Sequence, residues 1–201
     1  MGNTETLASA IEPAQIVVGT TSHGATLLGP GRIRHAGKGA TTIGSWSEEP
    51  AAGQRALEIA QTLTGASIET EVVEKVLPVL WGKLVVNVGI NAITALTGIK
   101  NGQILDLEIT KDLSRSAVEE AISIARSQDI PVREDAVNHV FEVAAATAAN
   151  RSSMGQDVDK KRVTEILAIN GYVVREAERI GLEAPVNKTL TALIRTLESH
   201  F

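Results

Sequence analysis

The sequence predicts a mainly α protein in which a small α/β piece at residues 1–72 precedes a larger helical domain at residues 73–201. Short apolar runs separated by glycine- and proline-containing turns fill the first part, as is typical of strands. Beyond about residue 73, the apolar residues recur with the 3.6-residue period of helices. Aromatic residues make up only 2% of the chain, so the core is aliphatic, which suits packed helices.

The first part is predicted to contain a few short strands and one helix. The strands are expected at residues 16–21, 24–31, 32–37, 41–44 and 67–72, with turns at 29–31 and 37–39. The helix is expected at residues 50–64, where the alanines and leucines share one side. These elements fall short of a complete sheet with helices on both faces.

The second part is predicted to be a succession of helices. One contains Lys83 and ends near residues 97–98, and the next two cover residues 104–127 and 133–147. After a loop and N-cap region at 150–153, a long helix is expected at 156–180, with Gly181 as its C-terminal stop. Pro185 opens the last helix.

Composition excludes several classes of function. The net charge of −5 leaves no basic surplus for neutralising phosphates, so no nucleic-acid partner is expected. The chain has no cysteine, which excludes disulfides and thiol catalysis, and its four histidines show no metal-ligand spacing. The start lacks an apolar signal region, and polar residues interrupt the most apolar stretch, 76–96, at every turn. We therefore expect a cytoplasmic protein without a membrane span.

The most informative pattern is a polar stripe on the apolar helix. Lys83, Asn87 and Asn91 are spaced i, i+4, i+8, which places them near one helical face. A lysine and two carboxamides among apolar side chains need polar partners, because burying them unpaired is costly. A bound polar small molecule is one such partner, for which the lysine would be the proton donor.

Two later residues are expected to join this stripe. Ser153 precedes the predicted helix at 156–180, so the chain can bend back there toward the Lys83 face. Glu165 lies within that predicted helix and would accept a hydrogen bond from a substrate hydroxyl.

Each candidate also has a purely structural interpretation. Lys83 would lie along the helix surface with its aliphatic stem on apolar neighbours. The two asparagines would bond a neighbouring helix. Glu165 would pair with Lys161 one helical turn earlier, and Ser153 would be only an N-cap.

Several ordered motifs resemble the ketopantoate reductase (2-dehydropantoate 2-reductase) family. The helix that begins WGKL at residue 81 and continues through INAITA at 90–95 is similar to its signature helix. The other matching segments are SSMGQD at 152–157, TEI at 164–166, ING at 169–171, PVNKTL at 185–190 and, upstream, TTSHGA at 20–25, GPG at 29–31 and HAG at 35–37. The resemblance covers nearly the whole chain.

The resemblance implies an architecture and a reaction. Residues 1–72 would be the remnant of a Rossmann nucleotide-binding domain. Residues 73–201 would be a helical substrate-binding, catalytic and dimerisation domain of the 6-phosphogluconate dehydrogenase-like type. The implied reaction is the NADPH-dependent reduction of 2-dehydropantoate to pantoate in coenzyme A synthesis, with a homodimer as the expected assembly.

The resemblance also assigns roles to the candidate residues. Lys83 would be the general acid that protonates the ketone oxygen. The side chains of Asn87, Asn91 and Ser153 would hold the carboxylate and hydroxyl of the substrate. Glu165 would be catalytic, bonding the substrate hydroxyl near the nicotinamide.

The sequence departs from the family at its N-terminal end. Family members begin with a Rossmann half that carries Gly-x-Gly-x-x-Gly after the first strand, and this motif is absent. Of the family's Gln-Asn-Gly-x-Gly-Asn stretch only the tail is present, as Gly2 and Asn3, which are the expected cofactor-side residues. The chain therefore resembles a family member truncated at its N-terminus.

Three functions follow as hypotheses. The chain is the catalytic half of a ketopantoate reductase, or a truncated, non-catalytic ligand-binding or dimerisation module, or a related 2-keto acid or imine reductase. In-frame coding sequence upstream of Met1 that carries Gln-Asn-Gly and a Gly-x-Gly-x-x-Gly strand–turn–helix would separate the first from the second. Substrate profiling of the completed protein would separate the third.

Overall fold

The computed structural model describes the backbone of residues 1–201 and the side chains of all of them except Thr26 and Ala36. The chain divides into two compact units, formed by Gly2–Leu80 and by Trp81–Phe201 together with Met1. The first unit contains strands and two helices, and the second is helical. This confirms the predicted fold class, a mainly helical protein with a small α/β piece first.

The first unit is built on a three-stranded sheet. Its elements are α1 (Asn3–Ala8), a 3-10 turn (Pro13–Gln15), β1 (Val17–Thr21), β2 (Gly24–Gly29), β3 (Arg32–Gly37), β4 (Thr41–Ser45), α2 (Pro50–Gly65) and β5 (Thr70–Val72). The order in the sheet is β1–β4–β5, with β1 antiparallel and β5 parallel to β4, while β2 and β3 form a separate hairpin. Helix α2 connects the two parallel strands and buries Ala52, Ala56 and Ala60 at four-residue spacing.

The second unit consists of six helices and two 3-10 turns. They are α3 (Leu77–Thr97, which starts in the first unit), a turn (Asn101–Leu105), α4 (Glu108–Arg126), α5 (Ala136–Ala146), α6 (Ser153–Asp159), a turn (Ile166–Ala168), α7 (Asn170–Arg179) and α8 (Pro185–Glu198). Helices α4 and α5 begin later than predicted, because residues 101–105 form a 3-10 turn and Arg133 is held in an ion pair with Asp135. The predicted stop at Gly181 is confirmed by its φ of +73°.

Helix α3 is the central element of the second unit. Eleven of its 21 residues are buried, and Gly89 allows two neighbouring helices to come close. A Cβ at position 89 would lie 2.7 Å from methyl groups of both Val118 on α4 and Val140 on α5. Among the described helices, only α3 is long and apolar enough to cross a bilayer, and 61% of its most apolar window is buried inside the protein, as in a core helix.

The long helix predicted at residues 156–180 is wrong, because the chain leaves the helical path at Lys161. This residue has a left-handed φ of +51°. The N–H groups of Lys161 and Arg162 donate to the carbonyls of Val158 and Asp157 at 3.0 and 2.9 Å, which closes α6 in a Schellman motif. Beyond this point, Thr164 donates both its N–H and its hydroxyl to Glu198 on α8, at 2.7 Å each.

A buried polar network joins helices α4, α7 and α8 of this unit. Asn187 and Asn170 are fully buried, and the side-chain amide of Asn170 donates to the Asn187 carbonyl oxygen at 2.9 Å. Asn187 donates in turn to Glu120 and to the carbonyl of Ala117 on α4. Glu120 also accepts the backbone N–H groups of Val186 and Asn187, which satisfies the first turn of α8.

We expect Gly89→Ala to lower the free energy of unfolding by about 2 kcal/mol, because the added methyl overpacks the contact with two stiff valines. Gly82→Ala on the same helix is the matched control. A Cβ there would meet no described heavy atom within 4 Å, so this change should raise stability by about 0.5–1 kcal/mol. Urea unfolding of the two variants measures both effects, and an unchanged midpoint for Gly89→Ala would contradict the close approach.

Lys161→Gly should stabilise the protein by about 1 kcal/mol, because glycine adopts the left-handed conformation without the Cβ penalty. Lys160→Gly, one residue earlier at a negative φ, should destabilise it by about 0.5 kcal/mol through the unfolded state. Thermal unfolding of the two variants measures both effects. Loss of stability in both would contradict a left-handed helix end at Lys161.

Candidate active site

The polar stripe of α3 runs from solvent into the core. Lys83 is exposed, Asn87 is half-buried and Asn91 is buried, with 5% of its surface exposed. The sequence predicted all three in apolar surroundings, and the structure corrects this for Lys83. The exposed end of the stripe carries the positive charge, and the buried end carries a carboxamide in a fixed position.

Ser153 is brought to the buried end of this stripe. It is the first residue of α6, and its Oγ lies 3.5 Å from Nδ2 of Asn91, a residue 62 positions earlier in the chain. The chain therefore bends back toward the α3 face as predicted. Ser153 is exposed, so its hydroxyl faces outward beside a buried amide donor.

The N-cap role considered for Ser153 belongs to Ser152. The Oγ of Ser152 accepts the Gly155 N–H at 3.0 Å and lies 2.7 Å from the hydroxyl of Thr94 on α3. Both hydroxyl-bearing residues are buried. Because Ser152 caps the helix, the Ser153 hydroxyl is not needed for that purpose and is available to a ligand.

Glu165 lies in the segment that replaces the predicted long helix. It is exposed and precedes the 3-10 turn at Ile166–Ala168. The flanking Thr164 holds the backbone by its bonds to Glu198 and by accepting the Ile166 N–H at 3.1 Å. Pairing of Glu165 with Lys161 along one helix is wrong as an alternative, because α6 ends before Lys161.

Gly2 and Asn3 belong to the first unit. Gly2 has a φ of +93° and precedes α1, and Asn3 is the exposed first residue of that helix. The structure thus groups the substrate-side candidates in the second unit and these two cofactor-side candidates in the first.

Sequence reasoning missed the residues that fasten α6 to α3. Besides Ser152 and Thr94, these include Arg151, which donates to Asp159 through Nε and Nη2 at 3.0 Å each. This charge-assisted pair lowers the pKa of Asp159. The sequence did contain one signal for this arrangement, the two adjacent serines before a helix, because only one of them can be the N-cap.

Comparison with known proteins identifies the relatives of the chain. Residues 75–198 match the family described as ketopantoate reductase PanE/ApbA C terminal, and residues 1–48 match the one described as ketopantoate reductase PanE/ApbA. A 2-dehydropantoate 2-reductase of Halobacterium salinarum is 37% identical over 97% of this chain and 64% of its own length.

Solved structures share the fold. A PanE/ApbA family ketopantoate reductase from Ralstonia eutropha JMP134 has a TM-score of 0.88 at 27% identity, covering 99% of this chain and 64% of that one. A D-mandelate dehydrogenase in complex with NADH has a TM-score of 0.90 at 21% identity, covering 100% and 68%, and shows the common fold alone.

The chain spans 64% to 67% of the length of the first three curated relatives that it matches. The match over residues 75–198 includes the α3 stripe, Ser153 and Glu165. By these matches and the ordered motifs, the chain belongs to the ketopantoate reductase family.

Proposed function

We propose that this chain carries the substrate-binding and proton-donating residues for the NADPH-dependent reduction of 2-dehydropantoate to pantoate. The observation that carries the proposal is the contact between Asn91 and Ser153 on the helix face that also bears Lys83. Two hydrogen-bonding groups and one cation along one face suit a small acid with a ketone and a hydroxyl group.

The burial of each residue supports the role proposed for it. Asn91 is held in the core, so it and Ser153 would fix the polar end of the substrate with little loss of side-chain entropy. Asn87, half-buried, would hold a second polar group. Lys83 is exposed and long, so its ammonium group would reach over the bound ketone and deliver a proton to the oxygen as the carbonyl carbon is reduced. Glu165 would accept from the substrate hydroxyl.

A nicotinamide cofactor would supply the hydride, but the first unit does not fit the phosphates of a dinucleotide. Its only described connection from a strand to a following parallel strand passes through α2. The loop before α2 carries Glu48 and Glu49 at the helix N-terminus, where a dinucleotide site needs glycines and no like charge. Gly2, Asn3 and Glu165 remain as the residues proposed for the nicotinamide side. This misfit favours, as a second candidate, a module that binds the substrate but not the dinucleotide.

Calorimetric titration of the purified chain with 2-dehydropantoate and with NADPH tests the proposal. We expect the keto acid to bind and NADPH to bind weakly or not at all.

Joining the remaining N-terminal segment of the Halobacterium salinarum relative in front of the chain should then give NADPH oxidation. Lys83→Ala should lower kcat of this fusion by about 10²–10⁴-fold, through loss of the general acid.

Lys188→Ala is the control for Lys83→Ala, since Lys188 is exposed and its one described side-chain contact is a long ion pair of 3.9 Å with Glu178. If kcat of an active fusion falls equally in both variants, Lys83 is not the general acid. Binding of the keto acid without any turnover in the fusion would support the second candidate, and no binding at all would reject both.

The two adjacent serines should separate stability from ligand binding. Ser152→Ala removes the α6 cap and the bond to Thr94, and we expect it to cost about 1–2 kcal/mol of unfolding free energy. Ser153→Ala should leave stability within about 0.5 kcal/mol, because the side chain is exposed, while weakening 2-dehydropantoate binding about tenfold. Urea unfolding and calorimetry on both variants measure the two effects. Weaker binding in Ser152→Ala together with lower stability in Ser153→Ala would contradict the binding role proposed for Ser153.

A further inference from the structure

Arg151 connects the end of the helix that carries Asn91 to the helix that begins with Ser153. Its Nη1 donates to the backbone carbonyls of Thr94 and, at 2.9 Å, of Ile99. Its Nε and Nη2 form the two-pronged bond to Asp159 at the far end of α6. Only 19% of the Arg151 side chain is exposed, against 54% for that of Asp159.

The guanidinium lies at the C-terminus of α3. The last carbonyls of a helix have no partner within the helix, and the negative end of the helix dipole favours a cation there. Arg151 donates to the carbonyl of Thr94 in the last turn of α3, which also accepts the Gly98 N–H at 3.1 Å, and to the carbonyl of Ile99 just beyond the helix. Its planar fork is oriented by the carboxylate of Asp159. The side chain is therefore fixed at both ends.

Gly155 leaves the space that this arrangement requires. A Cβ at position 155 would lie 2.6–2.9 Å from Cζ, Nη1 and Nε of Arg151, so the guanidinium lies directly against the backbone of α6. The main chain of Arg151 is held as well, since its carbonyl accepts the Gln156 side-chain amide at 3.0 Å. Rotation of α6 about its own axis would break these contacts together.

We propose that Arg151 is a positioning residue that holds the Ser153 hydroxyl beside Asn91 in the orientation that a substrate needs. The inference rests on the proposed function for the role of Ser153, but the arrangement itself is a property of the second unit. Arg151 contacts the α3 C-terminus and α6, and Ser153 sits two residues further along the chain at the start of α6. Arg151 acts on the ligand through Ser153 and makes no contact with the ligand of its own.

A double-mutant cycle tests this inference in the 201-residue chain. Arg151→Lys keeps the charge but loses the fork. We expect it to weaken 2-dehydropantoate binding about tenfold when Ser153 is present, and by less than about twofold in the Ser153→Ala background. Arg179→Lys is the matched control, because Arg179 is an exposed arginine whose Nε and Nη2 both donate to one carboxylate oxygen of Glu176 on α7, and it should have no effect in either background. Equal weakening by Arg151→Lys in both backgrounds would overturn the inference.

A second measurement keeps the test independent of the proposed function. The side-chain amide resonance of Asn91 in a ¹H–¹⁵N spectrum, assigned by its loss in Asn91→Ala, reports on the contact with Ser153. We expect this resonance to shift in both Arg151→Lys and Ser153→Ala and to stay unchanged in Arg179→Lys. If the chain binds no 2-dehydropantoate, the proposed function fails, and this resonance alone decides on Arg151; an unmoved resonance overturns the positioning role.

Should Arg151→Lys fail to fold, Asp159→Asn takes its place. This variant keeps the arginine and its bonds to the α3 carbonyls but weakens the fork that orients the guanidinium. We expect a shift of the Asn91 resonance in the same direction and about threefold weaker binding, again only with Ser153 present. Binding and resonance identical to those of the unmodified chain would contradict the proposal.

Discussion

Helix α3 can lie against α4 and α5 only because residue 89 has no side chain, and the rest of the second unit depends on this close approach. It fixes α3 at its middle, where residue 89 lies against Val118 and Val140. The polar stripe on another side is thereby held as a rigid set, and the C-terminal carbonyls become a fixed anchor for Arg151. A looser α3 would leave Asn91 without a defined position relative to α6. Packing in the core thus determines the precision of a site at its edge.

The two polar networks of this unit solve the same problem at opposite helix ends. Glu120 places a carboxylate at the N-terminus of α8, and Arg151 places a guanidinium at the C-terminus of α3. Each hydrogen-bonds backbone groups at or just beyond a helix end, and each has the charge that the local end of the helix dipole favours. Buried amides then extend the first network, and the capping hydroxyl of Ser152 with Thr94 extends the second. Charged side chains here connect helices, so they define the relative positions of helices whose contacts are otherwise aliphatic.

The sequence alone predicted those parts of the structure that depend on local periodicity or on a helix-terminating residue. It predicted the α3 helix, the shared face of Lys83 and the two asparagines, and the stop at Gly181, each of which depends on residues within a few turns. It failed at Lys161, since a lysine carries no signal for a left-handed conformation and the path beyond it depends on Thr164 bonding Glu198, 34 residues away. The cap could not be assigned to Ser152 for the same reason, because the choice between two serines depends on Thr94, which is distant in the chain.

The division of the candidate residues between the two units has a chemical consequence. All side chains proposed to contact the substrate lie in one unit and are supported by contacts within it, from the Asn91–Ser153 pair to the Arg151 fork. The first unit places carboxylates before its longer helix, where a pyrophosphate would meet like charge. Under the proposed function, recognition of the keto acid would therefore be separable from recognition of a dinucleotide in this chain. The proposed substrate site in the second unit would stay pre-arranged whether or not a cofactor is held, because the bonds that shape it, from the Asn91–Ser153 contact to the Arg151 fork, all lie within that unit.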